Sequence, residues 1–562
     1  MRSASPRALL TAGSLAVLLA AADTYVVVLA LTDMMAGVGL GVEALQRGTP
    51  IISGFLLGYL AVLPLAGRLV DLLDSARVLL GCLAIFVVGS VVTALAVELD
   101  VLVVGRFVQG VGGGGLVPAT LALVAARWPA ERRGTPLGVV GAVQELGAVL
   151  GPVLGALILA VADWRAIFWF NAAAGSVLYV VVRVLARVGP GSGSRSGSGV
   201  LRWGVPSLAT VVAALGVLTL AAPDRLVTDV TLGLPFLPFT GTSRVLTPIG
   251  LATGIGLVLL VGVTARRWRP VLLRADLPGA ALVAVALGSL VLSFSTADPA
   301  RDVVGPSAAL LLPVGAAALV ALLVRQRIAA TPVVPHGVLR GRGLVAFVVS
   351  LLVGAALVAV VVDVPLLARL TLTSSQTTAA LVLVRFLVAV PVGAVLGGWA
   401  LGRLGGGVVA SAGLLLAATG LFVMSGWGAD ELGAVVSSTV VLAAVGFGLG
   451  LALAPVNAAA LEAAPAEAHG VAGALVVVAR TVGMVVGLAL LTGIGLHRYY
   501  QAVAALPDQG DTRALLDAAL VQVHTVFLGG GLAAGLAAVV ALALGLHRRA
   551  GYPVEQQDEV RA

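Results

Sequence analysis

The chain has 562 residues, of which 60% are hydrophobic and only 11% charged. A soluble domain carries about 25% charged residues, so this composition excludes an ordinary soluble enzyme or binding module and points to a chain solvated mostly by lipid. The sequence has no lysine, which rules out a Walker A loop and argues against an ATP-driven pump.

The net charge of +8 does not mark a nucleic-acid binder, because the arginines sit in short loops between apolar runs and read as topology signals. The lone cysteine, Cys82, excludes an internal disulfide. At the start, Arg2, Arg7, an apolar core and "AAAD" have the layout of a signal peptide cut before Asp23. The apolar run continues to Leu31, however, and is read as the first span.

Apolar runs long enough to cross a bilayer lie near 8–31, 50–66, 78–97, 101–125, 135–161 and 166–186. A polar Gly/Ser linker, 189–199, follows. Four more runs lie near 204–222, 248–265, 279–295 and 307–324. The last six are near 343–368, 379–401, 405–425, 434–460, 470–497 and 515–546. The pattern predicts an all-α polytopic membrane protein with about 14–16 spans. A first six-helix bundle would occupy 1–188, a linker with additional spans 189–341, a second bundle 342–550 and a tail 551–562.

Alternate loops carry the arginines, among them Arg68, Arg77, Arg132, Arg133, Arg183, Arg340, Arg403 and Arg548. The opposite loops carry acids such as Asp33, Glu98, Asp100, Asp430 and Glu431. The positive-inside rule therefore puts both termini in the cytoplasm of a cell whose inner membrane holds the protein. Two external segments stand out. Residues 224–247 are too polar to span, and their β-branched alternation predicts a small hairpin. From Gly470 to Leu506 the helical pattern is about 55 Å long, against about 30 Å of bilayer core. With "PDQGD" as the turn and Thr512 as a cap, a paired helical extension near 498–514 would protrude outside; a helix broken near 495–497 is the other reading.

Ionisable residues inside spans are costly and by default mark a pathway or coupling site. Here they are Asp23, Arg106, Glu145, Asp363, Arg385 and Arg480. A carboxylate at Asp23 in low dielectric suits proton exchange; the plainer reading is a side chain that only hydrogen-bonds Thr24. Glu145 and Arg480 lie in different halves, and pairing would let both stay charged, which makes a lock that opens when the halves part. Asp363 and Arg385 read equally well as a structural pair. "GVGGGGLVP" after Arg106 contains GxGxxG by spacing alone; within an apolar helix it is better read as small residues permitting close helix approach.

These residues resemble the major facilitator superfamily, in its fourteen-helix drug:proton antiporter branch. "AADTYVVVLAL" looks like that branch's first-helix acid motif, with Asp23 as the acid, and "GRFVQGVGGG" like its fourth-helix arginine motif. The resemblance implies proton coupling through Asp23 and Arg106. "GAVLGPVLGA" matches the antiporter motif at Gly147, Gly151, Pro152 and Gly155, and "DWRAIFWFN" resembles the start of the sixth helix. "GSLAVLLAAADTYVVV", "VQELGAVLGP" and "VVVARTVGMVVG" are similar to the mycobacterial triacylglyceride-exporter family, in which an acid and an arginine matching Glu145 and Arg480 form an ion lock.

The loop motif departs from the superfamily pattern. In "GRLVDLLDSAR", Gly67 and Asp71 stand, but Asp74 replaces a glycine and the basic residue is displaced to Arg77, which leaves the usual latch open to question. Two linker spans also exceed the fourteen-helix pattern.

The resemblance implies a proton-coupled secondary transporter that exports lipids, triacylglycerides above all. Its partners would be protons and a periplasmic lipid-carrying lipoprotein, and it would act as a monomer without cofactor. A multidrug:proton antiporter of the same fold, acting on hydrophobic drugs, is the alternative. A non-transporting scaffold has no need of buried acids. An enzyme is not expected, since five scattered histidines form no metal constellation and no nucleophile–base pair is evident.

Overall fold

The computed structural model describes residues 5–40, 45–186, 199–229, 233–239, 243–295, 305, 307–373, 375–507 and 511–545. Most of the polar linker (residues 189–198) and the tail (551–562) lie outside them. Among the described residues there is no strand.

The first bundle is built from α1 (Pro6–Gly37), α2 (Leu45–Leu72), α3 (Ser75–Leu95), α4 (Leu99–Arg127), α5 (Gly134–Leu159) and α6 (Arg165–Ala186). The middle holds α7 (Gly199–Ala221), the single turn α8 (Asp224–Val227), α9 (Pro248–Arg274), α10 (Leu277–Ser295) and α11 (Ala308–Ile328). The second bundle comprises α12 (Arg342–Thr371), α13 (Gln376–Leu387), α14 (Ala389–Leu404), α15 (Gly406–Met424), α16 (Val435–Ala463), α17 (His469–Ala504) and α18 (Thr512–Ala541).

All sixteen apolar runs are helical, though not equivalent. Among the described residues fourteen helices are long and apolar enough to span, with α13 and α14 making one span broken at Val388. The break precedes Pro391, which has no amide to continue the helix. A fifteenth candidate is α10 taken with the end of α9, from which it is bent by 62°, and α7 has only the shorter apolar stretch Val205–Ala221.

Local chemistry starts several of these helices. Asp74, which stands where the loop motif has glycine, accepts from the amides of Ala76 and Arg77 and so caps α3. Thr247 caps α9 through Gly250 N. The cap of α18 is Asp511, accepting from Arg513 and Ala514, rather than the expected Thr512, which is already helical. A carboxylate reaches the first free amides with full charge against the helix dipole, a stronger contact than a hydroxyl makes.

Among the described residues of 224–247 there is no strand, and the expected hairpin is not found there. They contain α8 and two short 3₁₀ turns, joined by one backbone bond from Phe239 N to Leu246 O. Pro235 and Pro238 remove donors that a strand ladder requires. The segment is instead fastened by Glu98, which accepts from Ser243 Oγ and Arg244 N, both at 2.7 Å.

With 36 residues α17 is about 54 Å long, and it runs unbroken through 495–497 before α18 returns beside it. Outside the bundles, α10 packs on α2 and α17, where the two halves adjoin, while α7 and α9 pair with each other.

Candidate functional site

At the centre of the first bundle lies a buried polar cluster. Asp23, halfway along α1, is 1% exposed, as is Arg106 on α4. Arg106 Nη1 donates to Asp23 Oδ2 at 2.6 Å and to Gln109 Oε1 at 2.7 Å. Gln109 Nε2 donates onward to Asp23 Oδ1 at 3.1 Å and to Ser90 Oγ at 3.0 Å. Asn171 of α6 donates to Asp23 Oδ1 at 2.5 Å. Thr24, the partner of the plainer reading, donates to the Ala20 carbonyl instead.

Two rings, Phe55 and Phe168, lie 4.5 and 5.5 Å from the guanidinium carbon. Removing two charges from water is expensive. Here each is neutralised by the other, three donors satisfy the carboxylate, and the aromatic faces favour the cation. Adding a proton to Asp23 would cancel one charge and leave Arg106 unbalanced.

The glycine ridge of α5 packs against the turns of α1 that bear Asp23. A Cβ on Gly147 would meet Ala21, one on Gly151 the Ala22 carbonyl, and one on Gly155 Val26. Only glycine lets α1 and α5 approach so closely, and Pro152 lies within a continuous α5. Glu145 projects from the same helix. Its Oε1 accepts from Arg480 Nη1 of α17 at 2.9 Å, with each side chain 12% exposed. The pair therefore bridges the two bundles. Beside it a cavity of about 20 Å³, lined by Gln144, Asn457 and Arg480 among apolar neighbours, is large enough for one water.

Toward the face that carries the termini, the bundles close on each other. Asp71 of the loop motif accepts from Gly470 N at 2.6 Å and Val471 N at 3.2 Å, capping α17 of the opposite bundle. Gly67 packs against Gly470 and Ala474, and Gly134 and Gly138 pack against Gly398 and Ala394. The loop thus makes a contact between the halves despite its altered sequence. Arg77 is exposed beside Asp74 and takes no part in that contact.

Asp363 and Arg385 are not a pair. Arg385 Nη1 donates to Ser438 Oγ of α16 at 2.9 Å, whereas Asp363 on α12 is 1% exposed and neither of its oxygens has a hydrogen-bond partner. Sequence reasoning passed over Gln109, Asn171 and Ser90. A signal existed for the first: Gln109 is three residues after Arg106 and so shares its helix face. Asn171 was visible only as an amide in an apolar run.

The family model described as Major Facilitator Superfamily matches residues 13–325. The triacylglyceride transporter of Mycolicibacterium hassiacum is 38% identical over 513 residues, covering 89% of this chain and 82% of the relative. That of Mycobacteroides abscessus is 37% identical over 507 residues (88% and 83%), and that of Mycobacterium tuberculosis 36% over 518 residues (90% and 85%). Among solved structures, a double-tryptophan variant of XylE superposes with TM-score 0.55 at 15% identity, covering 97% of each chain. The human organic anion transporter MFSD10 gives 0.53 at 16%, covering 96% of this chain and 99% of its own. These structural likenesses bear on the fold alone.

Proposed function

The chain belongs to the major facilitator superfamily, and on that premise we propose that it is a proton-coupled exporter of lipids, triacylglycerides first among them. One observation carries the coupling: a carboxylate, Asp23, buried in a span and held only by Arg106, Gln109 and Asn171. The lipid assignment rests on relatives of 36–38% identity over about nine-tenths of the chain that are named as triacylglyceride transporters.

In this reading a proton arriving at Asp23 loosens Arg106 and shifts α1 on the glycine ridge of α5. Glu145 moves with α5, the Arg480 pair opens, and the bundles rock about it. The Asp71 cap of α17 must break for the termini-bearing face to open. By the arginine bias of its loops that face is cytoplasmic, in the inner membrane, and α17 and α18 protrude on the periplasmic side as the place where a lipoprotein receives lipid.

The test is reconstitution in liposomes with labelled triacylglycerol and an imposed pH gradient. Wild type should move lipid faster with the gradient, and Asp23→Asn should lose that dependence. Lipid movement indifferent to both would sink the coupling. Gradient-driven efflux of a cationic dye without lipid movement would favour the multidrug reading.

A further inference from the structure

The proposed cycle protonates one acid of the first bundle, Asp23, but the second bundle holds another buried acid that nothing above employs. Asp363 is 1% exposed, on α12 between Val360 and Val364, both fully buried. Ala359, one turn earlier on the same face, packs against Gly530 of α18, so Asp363 also looks toward α18 within the apolar core of its bundle. Neither carboxyl oxygen meets a donor.

Among the described residues, no cation on the surrounding helices pairs with it. Of the ionisable groups on α13, α16, α17 and α18, Arg480 binds Glu145, Arg385 binds Ser438 and His524 binds the Trp427 carbonyl. Glu462 lies beside Arg342 at the far end of the bundle. His497, Arg498, Arg513 and Asp517 are exposed, as is Arg369 on α12 itself, and His469 opens α17 at the same end as Glu462.

A carboxylate with neither donor nor counter-ion in such a place is strongly disfavoured, whereas a neutral carboxylic acid is tolerable. Its level in the bundle is informative. Gly354 of α12 abuts the Arg480 carbonyl, and Asp363 lies nine residues further on, about 14 Å beyond the Glu145–Arg480 pair. Asp23, level with Gly151, lies about 9 Å beyond the same pair. Both acids therefore flank the centre on the side away from the termini, one in each bundle.

We propose that Asp363 is a second proton-exchange site, holding its proton as a neutral acid in the arrangement described here. When the bundles rock and water reaches it, its O–H bond breaks, the proton leaves to water as hydronium, and the carboxylate remains; return reverses the step. An apolar side chain would pack there without the cost of a buried carboxyl, so an acid at this position is explained by exchange. The proposal rests on the proton-coupled reading above.

The experiment has two arms on the reconstituted full chain. Infrared spectra at neutral pH should show a protonated-carboxyl carbonyl band that is absent in Asp363→Asn. An unchanged band in that variant would mean that Asp363 is ionised and overturn the proposal. In the second arm, gradient-driven lipid transport should fall at least tenfold in Asp363→Asn and recover in part in Asp363→Glu, with thermal unfolding verifying that each variant folds. Wild-type rates in a folded Asp363→Asn overturn the exchange role. If wild type itself ignores the gradient, the coupled reading fails, and the infrared arm still decides whether Asp363 holds a proton.

Discussion

The two bundles treat a buried acid in opposite ways. Asp23 is surrounded by a cation, two amides and two aromatic faces, so its charge is compensated within its own bundle. Asp363 has an apolar cage and no partner. The lesson is that two bundles of one chain can each bury an acid on the same side of the centre, while the neighbouring helices decide which form is stable.

That contrast can be broken by experiment. The largest effect is expected for Arg106→Ala, which strands a buried carboxylate and should lower stability by about 3–5 kcal/mol. Replacing the unpaired acid in Asp363→Leu should leave stability unchanged or raise it by about 1–2 kcal/mol, while transport falls. Thermal unfolding in detergent compares the two, and equal losses would erase the distinction. Next comes Gly151→Val, whose side chain collides with the Ala22 carbonyl and should cost about 1–3 kcal/mol. A Tm equal to wild type would show that α1 and α5 have room to spare.

For the bridge between bundles, Glu145→Gln and Arg480→Ala should each slow lipid transport roughly tenfold, or about 1.4 kcal/mol in barrier height. Exchanging the two charges should restore part of the rate; normal single variants would remove the lock. Asp71→Ala should cost about 1 kcal/mol as a lost helix cap. It should also raise labelling of a cysteine placed at Ala474 in a Cys82→Ser background, and unchanged labelling would separate the cap from closure. The smallest effect on stability is expected from shortening 498–514, which should slow lipid hand-over more than drug efflux. Equal losses of both would count against a hand-over role.

Much of this was legible from residues alone because a membrane leaves few options. Every span had to be helical, and two isolated opposite charges in separate halves, Glu145 and Arg480, had reason to pair. For 224–247 the β-branched alternation points to strands, but the prolines within the segment outweigh it among the described residues. The Asp363–Arg385 pair was a fair guess from charge, but Ser438 on α16 takes Arg385.

The sequence by itself determined the approximate limits of the apolar helices, the glycine ridge of α5 and the identity of the buried acids, since hydropathy, residue size and the cost of burying charge are local properties. Only the tertiary structure decided partners. Arg106 meets Asp23 from 83 residues away and Asp71 caps α17 across 399. Such pairings depend on how helices are turned and stacked, which no periodicity within a single helix records.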